Sequence, residues 1–357
     1  MRRLLVFAAL LAVAGCDSSG DDTPTAVYVG NQGIFSDNGG SLTAYDPVAS
    51  TTTPAPGGEL GGLVQTLKVR GGRLYVFLNF DDSFTTRRGR IDVIDLETGQ
   101  RTQQVDVDTP RDWAVVDGTA WVSNFYGESI TPVFLATAQT GAPVRVGVNP
   151  EGLAAVGNRV HVANYSTTDG GFASGRTVSV LDAATSAVVE TIDVGCDGPR
   201  ALLADDDGEV WVVCTGRVLF DANFNVVGEV DGEIVVLDGD SGEVVTRIAL
   251  DGIVGSGALG QDAAISRSRD EVSVAFGSSL RRFDTRTNTA SGTIDIEGPA
   301  ISAVAYDDAS DRYYLGRLNA SSPFAGDGTV TIHDRMGTEV GSFRAGVIPG
   351  AVAFDTD

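Results

Sequence analysis

The feature that most restricts what this chain can fold into is a short strand that ends on aspartate and a turn, and then returns along the whole sequence. It reads Leu42-Thr43-Ala44-Tyr45-Asp46, Ile91-Asp92-Val93-Ile94-Asp95, Val178-Ser179-Val180-Leu181-Asp182, Ile234-Val235-Val236-Leu237-Asp238, Leu280-Arg281-Arg282-Phe283-Asp284 and Val330-Thr331-Ile332-His333-Asp334, six copies in all. A seventh, degenerate copy, Pro132-Val133-Phe134-Leu135-Ala136, fills the one long gap, with Ala136 where aspartate is expected. Successive landmarks then fall 41 to 56 residues apart, the period of a four-stranded propeller blade.

Ahead of each landmark lies an alternating segment with a large residue in a fixed slot: Tyr28, Tyr75, Trp121, His161, Trp211, Val274 and Tyr314. Alternation of this kind marks half-buried strands. Before these come small and branched runs such as Leu153-Ala154-Ala155-Val156 and Ala201-Leu202-Leu203-Ala204, suited to a crowded innermost strand. Each unit therefore reads a, b, c, d, with tight a-to-b turns at Asp117-Gly118 and Gly157-Asn158. The first unit starts at strand b, Ala26-Val27-Tyr28-Val29, and the chain finishes on a lone strand a, Gly350-Ala351-Val352-Ala353-Phe354. Pairing the two removes an open sheet edge. The expected fold is all-β, a seven-bladed β-propeller over residues 25–357.

The N-terminus is a separate device. Arg2-Arg3, an apolar run from Leu4 to Ala14 and small residues before a cysteine make up a secretory signal, residues 1–15. Val13-Ala14-Gly15-Cys16 resembles a lipobox, which implies lipidation of Cys16 and anchoring without a transmembrane helix. Residues 16–24 then form a short acidic tether.

A net charge of -23 and a single lysine, Lys68, argue against nucleic acid as a partner, because phosphate attraction needs clustered basic residues. The usual chemistry sets are absent: no His cluster, phosphate loop or nucleophile elbow. No catalytic residue, cofactor or metal is expected. The two histidines, His161 and His333, fill apolar slots of the repeat and read as packing residues. The recurring aspartates read as hydrogen-bond acceptors for their turns, since a calcium loop needs a spaced set of carboxylates. Cys196 and Cys214 remain once Cys16 is lipidated, and both fall at one face. An oxidising compartment favours a disulfide, with two buried thiols as the alternative.

Propeller geometry puts the b-to-c and d-to-a connections on one face. The b-to-c loops are long in five units, for example Asn79 to Arg90 and Thr215 to Gly232, and long loops on a rigid scaffold are where binding residues gather. They carry Phe35, Phe80, Phe84, Phe125, Tyr126, Tyr165, Phe172, Phe220, Phe224 and Phe324. Arg111, Glu151 and Arg200 each follow a proline at a blade entry and are expected to ring the channel mouth beside Asn124, Asn164 and Asn319.

Val27-Tyr28-Val29-Gly30-Asn31-Gln32-Gly33, Ala120-Trp121-Val122-Ser123-Asn124 and Ile192-Asp193-Val194-Gly195 resemble the YVTN-type surface propeller family over nearly all of the mature chain. The opening segment and Trp211-Val212-Val213-Cys214-Thr215-Gly216 are similar to surface lipoproteins that sit beside TonB-dependent transporters, some of which capture corrinoids. The resemblance implies a ligand-binding lipoprotein of the outer membrane or cell surface, capturing a corrinoid-like or other small ligand for a partner transporter. Two other readings stay open: a protein-interaction scaffold, and a metal-dependent propeller enzyme such as a lactonase.

Overall fold

A computed structural model describes residues 24–167, 174–221, 223–255 and 260–356. The signal segment, Cys16, most of the tether and Phe172 lie outside the described residues, as does the side chain of Phe84. Seven sheets form a β-propeller. Blade 1 takes strand a from the far end of the chain, Pro349–Asp355, followed outward by b Ala26–Asn31, c Ser41–Asp46 and d Thr51–Thr53. Strand a of blades 2 to 7 is Leu63–Val69, Pro110–Val116, Val148–Val156, Pro199–Ala204, Ala263–Ser266 and Ile301–Asp307. These inner strands touch in order round the ring, and blade 7 closes on blade 1. The closing ladder runs antiparallel from Ala26↔Asp355 to Asn31↔Pro349.

The apolar cores lie between blades. One sets Tyr28, Ala44 and Ala353 of blade 1 against Leu67, Val76 and Leu78 of blade 2. Another sets Trp211 and Val236 of blade 5 against Val272, Val274 and Phe283 of blade 6. Strand b alternates its side chains between the two neighbouring blades, so both of its faces are buried and it is apolar over most of its length, whereas strand d is largely exposed.

The repeated aspartates serve their turns. Asp182 accepts the Thr185 N–H (2.8 Å) and hydroxyl (2.9 Å), Asp238 the Ser241 N–H (2.7 Å), and Asp334 the N–H groups of Met336 and Thr338 (both 2.9 Å). These bonds hold the Asp182, Asp238 and Asp334 carboxyls below the ordinary carboxylate range. In blade 3 the register corrects the sequence reading: Phe134, not Ala136, occupies the aspartate position. Phe134 pairs with Thr119 just as Asp182 pairs with Arg159 and Asp238 with Glu209. The blade 3 turn closes through backbone alone, the N–H groups of Thr137 (3.1 Å) and Ala138 (2.8 Å) bonding Phe134 O.

A second recurring device ties the incoming d-to-a crossover to its blade in blades 1, 2, 4, 5 and 7. In blade 1, Asn31 donates to Ser41 Oγ (3.2 Å) and Thr43 Oγ1 (3.0 Å) on strand c and accepts the Gly346 N–H (2.9 Å) of the crossover. Asn164 repeats this in blade 4 with Thr177, Ser179 and the Gly147 N–H (3.0 Å). In blade 7, Arg317 bonds Thr331 Oγ1 (3.2 Å) and the crossover carbonyl of Pro299 (2.7 Å). Blade 2 works from strand c, where Arg90 pairs with the buried Asp92 (2.7 Å) and bonds Leu60 O in the crossover.

Blade 5 makes the tie covalent. Cys214 pairs with Pro199 as Asn164 pairs with Pro150 and Asn31 with Pro349. Cys196 precedes Pro199 by the same three positions that separate Gly147 from Pro150 and Gly346 from Pro349. Cys196 and Cys214 are joined in a disulfide, with Cα atoms 6.0 Å apart. Glu233 and Val235 replace the strand c hydroxyls in this blade, so an asparagine at position 214 would face a carboxylate already paired with Arg247 and an apolar side chain in place of two hydroxyls. The bridge closes a loop of 18 residues, for which chain entropy gives about 3 kcal/mol. Reduction, or Cys214→Ala, is expected to lower the unfolding midpoint by several degrees in calorimetry, with the far-ultraviolet spectrum unchanged.

His161 is fully buried in strand b of blade 4, and neither ring nitrogen has a hydrogen-bond partner among the described residues. Burial pushes its pKa from 6.5 down to about 4. The unfolded chain takes up a proton below 6.5 that the folded protein refuses until about 4, so stability falls as pH drops through that window. Urea unfolding of His161→Phe should lose this part of the pH dependence and gain stability near pH 5, by at most about 3 kcal/mol.

Candidate functional site

The inner strands of blades 1 to 5 and 7 enter with a bulge, and a bulge re-aims the side chain it carries. The pairing skips Gln65 in blade 2, Arg111 and Asp112 in blade 3, Glu151 and Gly152 in blade 4, Arg200 in blade 5 and Ser302 in blade 7. From blades 2 to 5 these side chains, with Gln261 and Asp262 of blade 6, line one cavity of about 170 Å³ at the channel mouth. Gly152 makes the tight passage between blades 4 and 5. A Cβ there would lie 3.0 Å from Leu202 N and 3.1 Å from Ala201 Cα.

The cavity wall is a chain of opposite charges. Lys68 Nζ lies 2.6 Å from Asp112 Oδ1, and Asp112 Oδ2 accepts the Leu153 N–H across the blade boundary at 3.3 Å. Arg111 bonds Gln65 Oε1, its guanidinium lies 4.3 Å over the Phe125 ring, and its Nε is 4.0 Å from Glu151 Oε1. Arg200 Nη1 lies 2.8 Å from Asp262 Oδ2, with 13 % and 3 % of the two side chains exposed. Burial pushes the Asp262 carboxyl up, and the charge of Glu151 adds to this against the pull of Arg200. Burial works against charge on Arg200, but Asp262, Glu151 and Tyr165 outweigh it and raise its pKa.

The structure brings together Arg111, Glu151, Arg200, Phe125, Tyr126 and Tyr165. Phe125 and Tyr126 meet edge to face at 4.9 Å beside Arg111, and Tyr165 lies within electrostatic reach of Arg200. It removes the three asparagines from the mouth. Asn164 is the blade 4 tie described above. Asn124 is equally buried, and donates to Ser129 Oγ (2.9 Å) and Thr131 Oγ1 (2.8 Å). Asn319 caps its own loop, donating to Asp327 O (2.9 Å) and accepting the Ser321 (3.0 Å) and Ser322 (2.9 Å) N–H groups. Phe80 lies under the guanidinium groups of Arg88 and Arg90, and so fastens the blade 2 loop.

Phe35 and Phe324 are exposed on the loops of blades 1 and 7. A hairpin of Arg217–Phe220 and Val226–Val230, inserted between strands b and c of blade 5, presents Phe220, Val226, Val227 and, 73 % exposed, Phe224. Among the described residues, no three His, Cys, Asp or Glu side chains converge as a metal site.

Sequence reasoning missed Gln65, Lys68, Asp112, Gln261 and Asp262. It followed the prolines at positions 110, 150 and 199, whereas blade 2 enters on Leu63-Val64 and blade 6 on Gly260. The usable signal was position in the repeat, just after the first residue of each inner strand.

These features define a seven-bladed β-propeller with a charged cavity at one channel mouth. Among solved structures it is similar to Kuenenia stuttgartiensis hydrazine synthase, at 16 % identity and a TM-score of 0.63 over 85 % of this chain and 91 % of that one. It is also similar to the structure of U3-55K, at 10 % identity and a TM-score of 0.60 over 82 % of this chain and 85 % of that one. At these identities the likeness is one of fold. No family model matches the chain, and no curated protein does either, so the YVTN resemblance rests on the quoted residues alone.

Removal of one buried partner exposes the electrostatics of the site. Arg200→Met leaves Asp262 without its cation, and truncating one partner of a buried pair costs about 3–5 kcal/mol. The stranded carboxyl would titrate still higher, so its penalty grows as pH rises and the group ionises. Urea midpoints for Arg200→Met should lie further below wild type at about pH 8 than at about pH 5. The double variant Arg200→Met with Asp262→Leu should recover most of the loss.

Proposed function

We propose that this protein is a ligand-binding lipoprotein, held at the outer membrane or cell surface through Cys16, that captures a small molecule at the channel mouth for a partner transporter of the TonB-dependent class. The observation that carries this reading is the convergence of Arg111, Glu151 and Arg200, on bulges of three successive blades, into one cavity on the long-loop face. Binding rather than catalysis is favoured because every charged group there faces an opposite charge, with no nucleophile and base in contact among the described residues.

The size of the cavity narrows the ligand. At about 170 Å³ it falls below the roughly 300–1,000 Å³ of pockets for drug-sized ligands. A corrinoid would have to lie across the rim of exposed loop phenylalanines, and a smaller molecule fits the channel mouth itself. The exposed apolar hairpin of blade 5 favours, as a second reading, a scaffold that grips another surface protein.

The anchor is tested by fractionation. Wild-type protein expressed in a bacterial host should sediment with membranes and incorporate labelled fatty acid, and Cys16→Ser should abolish both. Wild-type protein recovered free of lipid would overturn the anchored reading.

A further inference from the structure

We infer that the channel-mouth cavity takes a neutral polyhydroxylated ligand about the size of one sugar ring; this rests on the reading of that cavity as the binding site. The cavity wall is electrically balanced: Lys68, Arg111 and Arg200 face Asp112, Glu151 and Asp262. A ligand with net charge would give up its hydration in a confined site with no surplus counter-charge to receive it. Neutral ligands avoid that cost.

The hydrogen-bonding capacity left over has a particular form. Glu151 is only 8 % exposed, yet its one ion pair among the described residues is with Arg111 Nε at 4.0 Å, too long for a hydrogen bond. That Nε has no hydrogen-bond partner either. One group placed against both must donate to a carboxylate and accept from a guanidinium, and a hydroxyl is the smallest that does so. Asp262 repeats the carboxylate half of this arrangement. Both of its oxygens are buried without a hydrogen bond among the described residues, the nearer lying 2.8 Å from Arg200 Nη1.

The cavity therefore presents buried carboxylates with unmet hydrogen-bonding capacity at more than one point, one of them beside the Arg111 Nε, which suits a ring of adjacent hydroxyls. A water molecule can meet each point singly. A polyol meets several at once with its spacing already fixed, and so displaces waters at little entropic cost. Leu153, Leu202 and Ala263 line the same cavity and offer an apolar wall to the C–H face of a ring. A zwitterion is also neutral, but its charges would have to compete with ion pairs already formed.

The experiment is saturation-transfer NMR with calorimetry on the purified mature protein. The probes are aldohexoses, aldopentoses and myo-inositol, alongside glycine as a zwitterion and acetate as an anion. The expected result is saturable binding of at least one polyol with Kd below about 10 mM, weakened tenfold or more by the isosteric Glu151→Gln and unchanged by Phe35→Ser. Near-ultraviolet circular dichroism checks that each variant is folded. Absence of saturable polyol binding overturns the inference, as does polyol binding that Glu151→Gln leaves intact. Glycine or acetate binding abolished by Glu151→Gln, with no polyol bound, overturns the ligand class while keeping the channel mouth as a binding site. Failure of every probe in wild type, with Cys16-dependent anchoring intact, separates loss of this inference from loss of the anchored reading.

Discussion

The clasp between the two ends of the chain is the contact on which the rest of the structure depends. Strand Ala26–Asn31 has its outer partner in Ser41–Asp46 and its inner partner in Pro349–Asp355, more than three hundred positions away. Without the second ladder, blade 1 has no inner strand, blade 7 presents its flank to water, and the inner strands no longer form a ring. The channel exists only because the ring is complete. Its mouth can then bring together side chains from five blades that are remote in sequence. Long-range pairing of this kind is slow to form, since the closure entropy is met before the contacts exist. The local blade hairpins, with short turns such as Asp117-Gly118 in left-handed conformations, form independently of it.

The ties at the blade entries show one mechanical task met by several chemistries. An amide serves in blades 1 and 4, a guanidinium in blades 2 and 7, and a disulfide in blade 5. What stays constant is the backbone register, which places the end of strand b against the segment arriving from the previous blade. Once geometry is fixed, any group that spans the gap and satisfies the buried polar atoms is acceptable. The polar ties are backed by strand c hydroxyls or by Asp92, and those partners are missing beside Cys214. The covalent tie stands where Glu233 and Val235 take the place of the two hydroxyls.

Fold and site were legible in the sequence to different degrees. Repeat period, strand order and closure all follow from alternation and from the aspartate turns, because these are local patterns repeated many times. Blade 3 was misread by two positions, since a turn closed by backbone alone leaves no side-chain mark and Phe134 resembles an ordinary apolar residue. At the site, Arg111, Glu151 and Arg200 were visible because proline flagged their position. Lys68, Asp112 and Asp262 were not, since ion pairing across blades has no trace in sequence spacing. The asparagines misled for the opposite reason. Their conspicuous recurrence at the ends of strand b reflects a structural tie, and burial removes Asn124 and Asn164 from any ligand.

The clasp also fixes how the propeller answers a pull. The described chain enters at residue 24 and runs directly into strand Ala26–Asn31, with Thr25 already bonded to Asp355 O at 2.8 Å. That strand is held on both flanks, so tension applied from the N-terminal side acts along its axis and must slide two ladders at once, whereas an edge strand would peel away one bond at a time. On the anchored reading proposed above, the end of the chain that leads to the membrane is secured at the seam that closes the ring.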